Sequence, residues 1–295
     1  MHDQFEPRPG TTEPRGGNSP PTAERVHPSY GRVYLTFARN SLVRDMTFRS
    51  NFIIECVSSL SWMAMNLGYY LLIYQFTSNI GSWTKYEFLA FLATGLFVNS
   101  IVQAFFMPNA EEFSELIRTG GLDFALLKPI DTQFLISLQK VDWSSLSNFL
   151  FAVGLLAFSL FNMAYRPTWT QIVLYPIYLA CGVAILYSLM IALAATSVWL
   201  GRNQTLYEFW FYITNFSRYP MEIYEGTIGS PLRWVFTFIV PLLIVVNVPA
   251  QLMAKPLEAQ SWPLAVFTLF AAAACLWGSR MVFSRAMLSY RSASS

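Results

Sequence analysis

Six stretches of this 295-residue chain exceed 20 residues without one Asp, Glu, Lys or Arg: 56–84, 88–110, 143–165, 167–201, 234–254 and 259–279. A helix needs about 20 apolar residues to cross roughly 30 Å of hydrocarbon at ~1.5 Å per residue. Globular cores do not produce six such stretches in one sequence. The second begins FLAFLATGLFVNSIVQAFFM, in which eleven Phe, Leu, Val and Ile outweigh Asn99 and Gln103. Charged residues make up 12% of the chain, about half the usual soluble share of roughly 25%. Too few remain to coat a water-soluble globule. The expected fold is an all-α polytopic membrane protein with six transmembrane helices.

The same counts exclude several chemistries. Nineteen basic and seventeen acidic residues leave a net charge of +2, and no Lys/Arg stripe exists, so no nucleic-acid partner is expected. The only histidines, His2 and His27, lie in a polar leader, which removes histidine triads, relays and metal sites from the folded part. Cys56, Cys181 and Cys275 are far apart in apolar runs and read as buried small side chains. No metal, cofactor or catalytic residue is expected on this chain.

Orientation follows from the basic residues near the span ends. Twelve fall on the side of the termini: Arg39, Arg44, Arg49, Arg118, Lys128, Lys140, Arg202, Arg218, Arg233, Arg280, Arg285 and Arg291. Lys85, Arg166 and Lys255 make three on the other. That bias predicts both termini in the cytoplasm. Residues 1–28 hold six prolines and three glycines and read as a disordered leader without the apolar core of a secretory signal. Residues 29–295 form the membrane domain. Within it, residues 30–49 read as a basic helix lying along the inner membrane face, in contact with lipid. Outer links are short, at about 77–86, 165–170 and 255–261; inner links are longer, at about 108–141 and 202–232. Span five carries Pro241 and Pro249, with Pro256 and Pro263 beyond it. Proline removes a backbone donor, and broken backbone in lipid survives only when packed in protein or facing water. A broken or re-entrant fifth span is expected.

The first inner loop, PNAEEFSELIRTGGLDFALLKPID over 108–131, carries the candidate site. Glu111, Glu112 and Glu115 open a helical pattern that Gly120 and Gly121 end. LDFALL follows, and Lys128–Pro129 stops it. Leu122, Phe124, Leu126 and Leu127 sit where a loop otherwise faces cytosol, so they need a partner surface or the bilayer interface. Asp123 lies among them.

These residues bear a resemblance. Gly121, Leu122, Asp123, Leu126, Leu127, Lys128 and Pro129 are similar to the inner-loop motif of the ABC-2 type transporter permeases, in the branch described as an uncharacterised ABC transport system permease component. Arg218, Tyr219, Pro220, Ile223 and Tyr224 resemble a second run of that family. The likeness spans about residues 30–288. It implies a half-transporter in a bacterial inner membrane that pairs with a second permease, identical or not. It further implies two cytosolic ATP-binding cassette subunits that bind ATP and receive the loop, and transport that is usually export. This sequence has no GxxxxGK[ST] phosphate loop. It also lacks the importer pattern of Glu-Ala-Ala followed by Gly and Ile-x-Leu-Pro.

Two other classes compete. An ion-driven secondary transporter would want charges deep in the spans, but Glu55, Glu87 and Asp142 fall at span edges. A membrane-embedded lipid-modifying enzyme would cluster acids at the interface, where the loop acids read better as helix-start charges. Uncharged Asn66, Gln75, Asn99, Gln103, Asn148, Asn162 and Asn247 lie in or near the spans, as helix-pairing groups or path-lining ones.

Overall fold

The computed structural model describes residues 29–200, 211, 214–256 and 262–290. The leader at 1–28 lies outside them, as do the start of the second long link and residues 257–261 of the last outer link.

The chain is built from helices. α1 (Tyr30–Thr47) and α2 (Arg49–Phe76) meet at Phe48, whose backbone leaves the helical region. A two-residue hairpin follows, β1 (Asn79–Ile80) against β2 (Trp83–Thr84), with Asn79 opposite Thr84. Thr84 and Glu87 then form a reciprocal cap on α3 (Lys85–Phe105), with the Thr84 N–H donating to Glu87 at 2.9 Å. α4 (Met107–Thr119) starts with Pro108 in its first turn and ends at Gly120, whose φ of 74° is left-handed. Short helices α5 (Leu122–Leu126) and α6 (Thr132–Leu138) follow. Then come α7 (Leu146–Asn162) and α8 (Trp169–Leu200). After two 3-10 turns, Phe216–Arg218 and Met221–Ile223, come α9 (Gly226–Trp234), a π turn over Val235–Ile239, α10 (Leu243–Ala254) and α11 (Trp262–Ser289).

Among the described residues, four stretches are long and apolar enough to cross a membrane: Arg49–Phe76, Lys85–Thr119, Trp169–Trp199 and Trp262–Ser289. The expected window 143–165 yields a helix of 17 residues, roughly 25 Å long at ~1.5 Å per residue. Its start is consumed by a turn in which the Asp142 carboxylate accepts from the Ser144 N–H at 2.9 Å and the Ser145 hydroxyl at 2.7 Å. The window 234–254 is not one straight helix, because Gly226–Ile239 and Leu243–Ala254 meet at 89°. Pro241 stands at that bend, where no helical N–H is available.

The ends of the bundle differ in kind. At one end is the hairpin, where Glu222 accepts from the Ser82 hydroxyl at 3.2 Å and from the Trp83 indole N–H at 3.1 Å. Lys255 donates to the same Ser82 hydroxyl at 2.5 Å and lies 4.2 Å from the Trp83 ring centre. Glu222 and Lys255 flank the bent pair, so both of its ends return to one residue. The sequence expectation put the whole of 202–232 opposite the hairpin. The structure instead ties residues 216–225 to it, for Tyr224 donates to the Phe216 carbonyl at 3.1 Å. Patterning could not see this, since the contacts span about 140 residues of chain. Reassigning Arg218 and Arg233 leaves ten of the twelve basic residues and raises the three to five, so the bias keeps its sign.

α10 is the buried centre of the molecule: Leu243, Ile244, Val245 and Ala250 have no exposed surface. It wedges between α3 and α8. A β-carbon on Gly182 of α8 would lie 2.7 Å from the Val245 carbonyl oxygen, so only glycine permits that approach. Asn247 survives in this apolar wedge because its amide is satisfied, donating to the Leu243 carbonyl at 2.7 Å and accepting the Met221 N–H at 2.9 Å. α2, by contrast, has no buried residue. Leu67, Tyr70, Leu71 and Tyr74 pack on the core from one side, while Ile54, Trp62, Met65 and Phe76 point outward.

Candidate docking site at the loop end

The other end of the bundle is made by α4, α5 and α6. They rest on an apolar cluster of Phe113, Leu122, Leu135, Ile191, Ala195 and Phe283, drawn from α4, α5, α6, α8 and α11. Burying a Leu or Phe there contributes about 1.5–3 kcal/mol per side chain. Gly121 joins α4 to α5 where a β-carbon would lie 2.9 Å from Leu116 Cδ2.

Polar contacts fix the loop to three other helices. The Asp131 carboxylate caps α6, accepting the Phe134 N–H at 2.9 Å. It also receives the Arg280 guanidinium of α11 in a two-pronged pair at 3.1 and 2.5 Å, while Arg280 donates to Gln133 Oε1 at 2.8 Å. Arg280 holds the Asp131 carboxyl below its usual range, against partial burial, which acts the other way. On the α8 side, Tyr187 Oη lies 3.0 Å from Gln133 Nε2 and 2.8 Å from the Ser137 hydroxyl. Below α6, Asn109 holds Lys140 from both sides, donating to its carbonyl and accepting its N–H, each at 2.7 Å. α1 closes the assembly. The Ser41 hydroxyl accepts the Val141 N–H at 3.1 Å, Trp143 donates to the Ala38 carbonyl at 3.2 Å, and Tyr30 meets Phe134 edge-on at 4.9 Å. The expected basic interfacial helix is therefore also a strap against the loop.

The ten residues singled out from the sequence separate into three roles. Glu112 pairs with Lys140 at 2.9 Å, and Glu115 with Arg118 at 2.8 Å, both along the α4 surface, while Glu111 is exposed. Gly121 and Leu122 face inward. Leu122, expected among the outward apolar side chains, is fully buried, because the first turn of α5 must seat against Phe113 and Phe283. Phe124 at 75% exposed and Leu127 at 81% point away, joined by Leu126, Lys128 and Pro129; Asp123 opens α5 between the two sets. The result is an exposed apolar tip beside Lys128, on a buried anchor. Among the described residues no three His, Cys, Asp or Glu side chains converge as a metal site would require. Sequence reasoning missed Arg280 and Tyr187, which carry no local signal in an apolar helix.

Residues 60–294 match the family model described as ABC-2 family transporter protein, a span that includes the loop and its contacts on α8 and α11. The chain belongs to the ABC-2 transporter family. It is a multi-pass, membrane-spanning permease component of an ABC transporter. No curated protein and no solved structure matches it. The match begins inside α2, so the strap α1, which grips the permease loop through Ser41 and Ala38, falls before it.

Proposed function

We propose that this permease is the membrane half of an ATP-driven exporter and hands its loop, residues 108–131, to a separate ATP-binding cassette subunit. The observation that carries this is the pairing of opposites along α5 and its C-cap: Phe124 and Leu127 stand in solvent while Leu122 and Ala125, two residues before each, are buried. Exposed apolar side chains on an over-anchored tip cost solvation unless something covers them. A tip tied to α1, α8 and α11 also passes force to the spans. ATP-driven closure of the partner then biases two arrangements of the permease through differential contacts at the tip. ATP hydrolysis belongs to the partner, since this sequence carries no phosphate loop. The absence of the importer pattern supports export.

In this reading the permease sits in a bacterial inner membrane with the loop end in the cytoplasm. The first and last described helices support it, for Tyr30 of α1 meets Phe134 and Phe283 of α11 joins the loop-end cluster. α2, α3, α7, α8 and α11 supply five crossings. Residues 201–210, which follow α8, lie outside the described residues. The bent pair 226–254 then dips in from the outer face and returns to Ser82. A second permease, against the exposed face of α2, completes the transporter.

The test is ATPase stimulation in vesicles holding the permease and its ATP-binding subunit. Phe124→Glu with Leu127→Glu is expected to abolish stimulation while the permease keeps its melting temperature. Unchanged stimulation in that variant would remove the loop from the coupling.

A further inference from the structure

A cavity of about 530 Å³ lies among α2, α3, α7 and the residues Phe211, Thr214, Ser217, Arg218 and Tyr219, within the range of small-molecule sites. Its wall differs from what hydrocarbon would favour. Asn66, Asn99, Gln103 and Asn148 all line it. Asn66 and Asn99 each donate one N–H to their own helix, to the Trp62 and Gly95 carbonyls at 2.8 Å, which leaves each carboxamide its oxygen as an acceptor and a second N–H. Asn148 is 94% buried by its 6% exposure, and its Oδ1 has no hydrogen-bond partner. A buried carboxamide oxygen without a donor is an unsatisfied group, and such groups in native proteins point to an unseen partner. An acyl chain has no donor to offer.

The charges narrow the partner further. Arg218 is the one charged side chain among the described residues lining the cavity. It lies 5.7 Å from the Phe211 ring centre, so that ring already faces a cation. With no carboxylate among the described residues of the wall, an incoming ammonium would lose hydration, meet a like charge and gain no counter-ion from them. Hydroxyl groups fit instead, since they donate to bare amide oxygens, while Trp62 and Tyr70 offer flat apolar faces. One wall is α2, which buries none of its own residues, so an occupant's chain can stay in the lipid beside it.

We propose that this cavity binds the head group of a hydroxyl-bearing amphiphile, uncharged or anionic, and rejects cationic ones. Calling that amphiphile the transported substrate rests on the exporter reading; the binding itself does not. The purified permease in nanodiscs, without its ATP-binding subunit, would be photolabelled by three probes sharing one diazirine-bearing alkyl tail. Their head groups are glucoside, phosphate and trimethylammonium. Glucoside and phosphate are expected to label α2, α3 or α7 at least about tenfold more than the ammonium probe, a difference of ~1.4 kcal/mol. Asn148→Leu and, separately, Asn99→Leu should each cut glucoside labelling several-fold, and Arg218→Gln should cut only phosphate labelling. Melting temperatures identify a variant that merely unfolds, and the second asparagine then decides. Equal labelling by the ammonium probe, or glucoside labelling untouched in a folded asparagine variant, overturns the proposal. Selective labelling that adding the ATP-binding subunit and ATP does not alter would keep the site and count against the transporter reading alone.

Discussion

Gly182 and Asp131 show how single residues set the geometry of this permease. A β-carbon at 182 would meet backbone, the Val245 carbonyl oxygen, which cannot swing aside as a side chain can. Gly182→Ala is expected to destabilise by about 1–3 kcal/mol through overpacking, seen as a lower melting temperature in detergent. Gly154→Ala, with nothing within 4 Å, is the control and should hold or gain stability. Asp131 works electrostatically. Its folded carboxyl is held low by Arg280, so the stability it contributes is present above the unfolded value, about 3.9, and is lost only as pH falls through the lower folded value. The loop-to-α11 link should therefore be constant from pH ~8 to ~5 and loosen only in stronger acid. Both side chains are partly exposed, at 35% and 52%, which limits the pair to about 1 kcal/mol or less. Asp131→Asn should cost no more than that in unfolding free energy, yet speed amide exchange across α6, and Arg280→Met should do the same.

At the scale of elements, α5 and the bent pair define what patterning can and cannot reveal. The sequence marks LDFALL as an apolar turn out of place, and the structure puts it at the tip. It cannot say which leucine points inward, because a helix of five residues is too short to carry a readable phase. The consequence is measurable. Leu122→Ala should cost about 2–5 kcal/mol as a cavity under α5, whereas Phe124→Ala should stay within about 0.5 kcal/mol, both by thermal or denaturant unfolding. In the same way, a charge-free window of 21 residues looks like a span whether straight or folded back. Pro241 signals the break, but only the shared contacts of Glu222 and Lys255 with Ser82 show where its ends go. Arg280 and Asp131 are 149 residues apart, so their pairing leaves no trace in local periodicity. The carboxamides of the cavity were visible as polar residues in apolar windows; that four of them share one space was not.

For the molecule as a whole, the proposed function requires one polarity, with the hairpin end outside and the loop end in the cytoplasm, on either side of an α10 in which every residue but Gln251 is buried. Single cysteines should report it directly. With the native cysteines replaced, Glu222→Cys is expected to react with a membrane-impermeant maleimide from outside intact cells. Phe124→Cys should react only in inverted vesicles, and adding the ATP-binding subunit should shield it. The decisive measurement places benzoylphenylalanine at position 124, or at position 228 on the opposite end, where Ile228 is 80% exposed. Irradiation of the assembled transporter is expected to join position 124 to the ATP-binding subunit and to leave position 228 unlinked to it. A crosslink from 228 and none from 124 would contradict the cytoplasmic placement of the loop and its role as the docking tip.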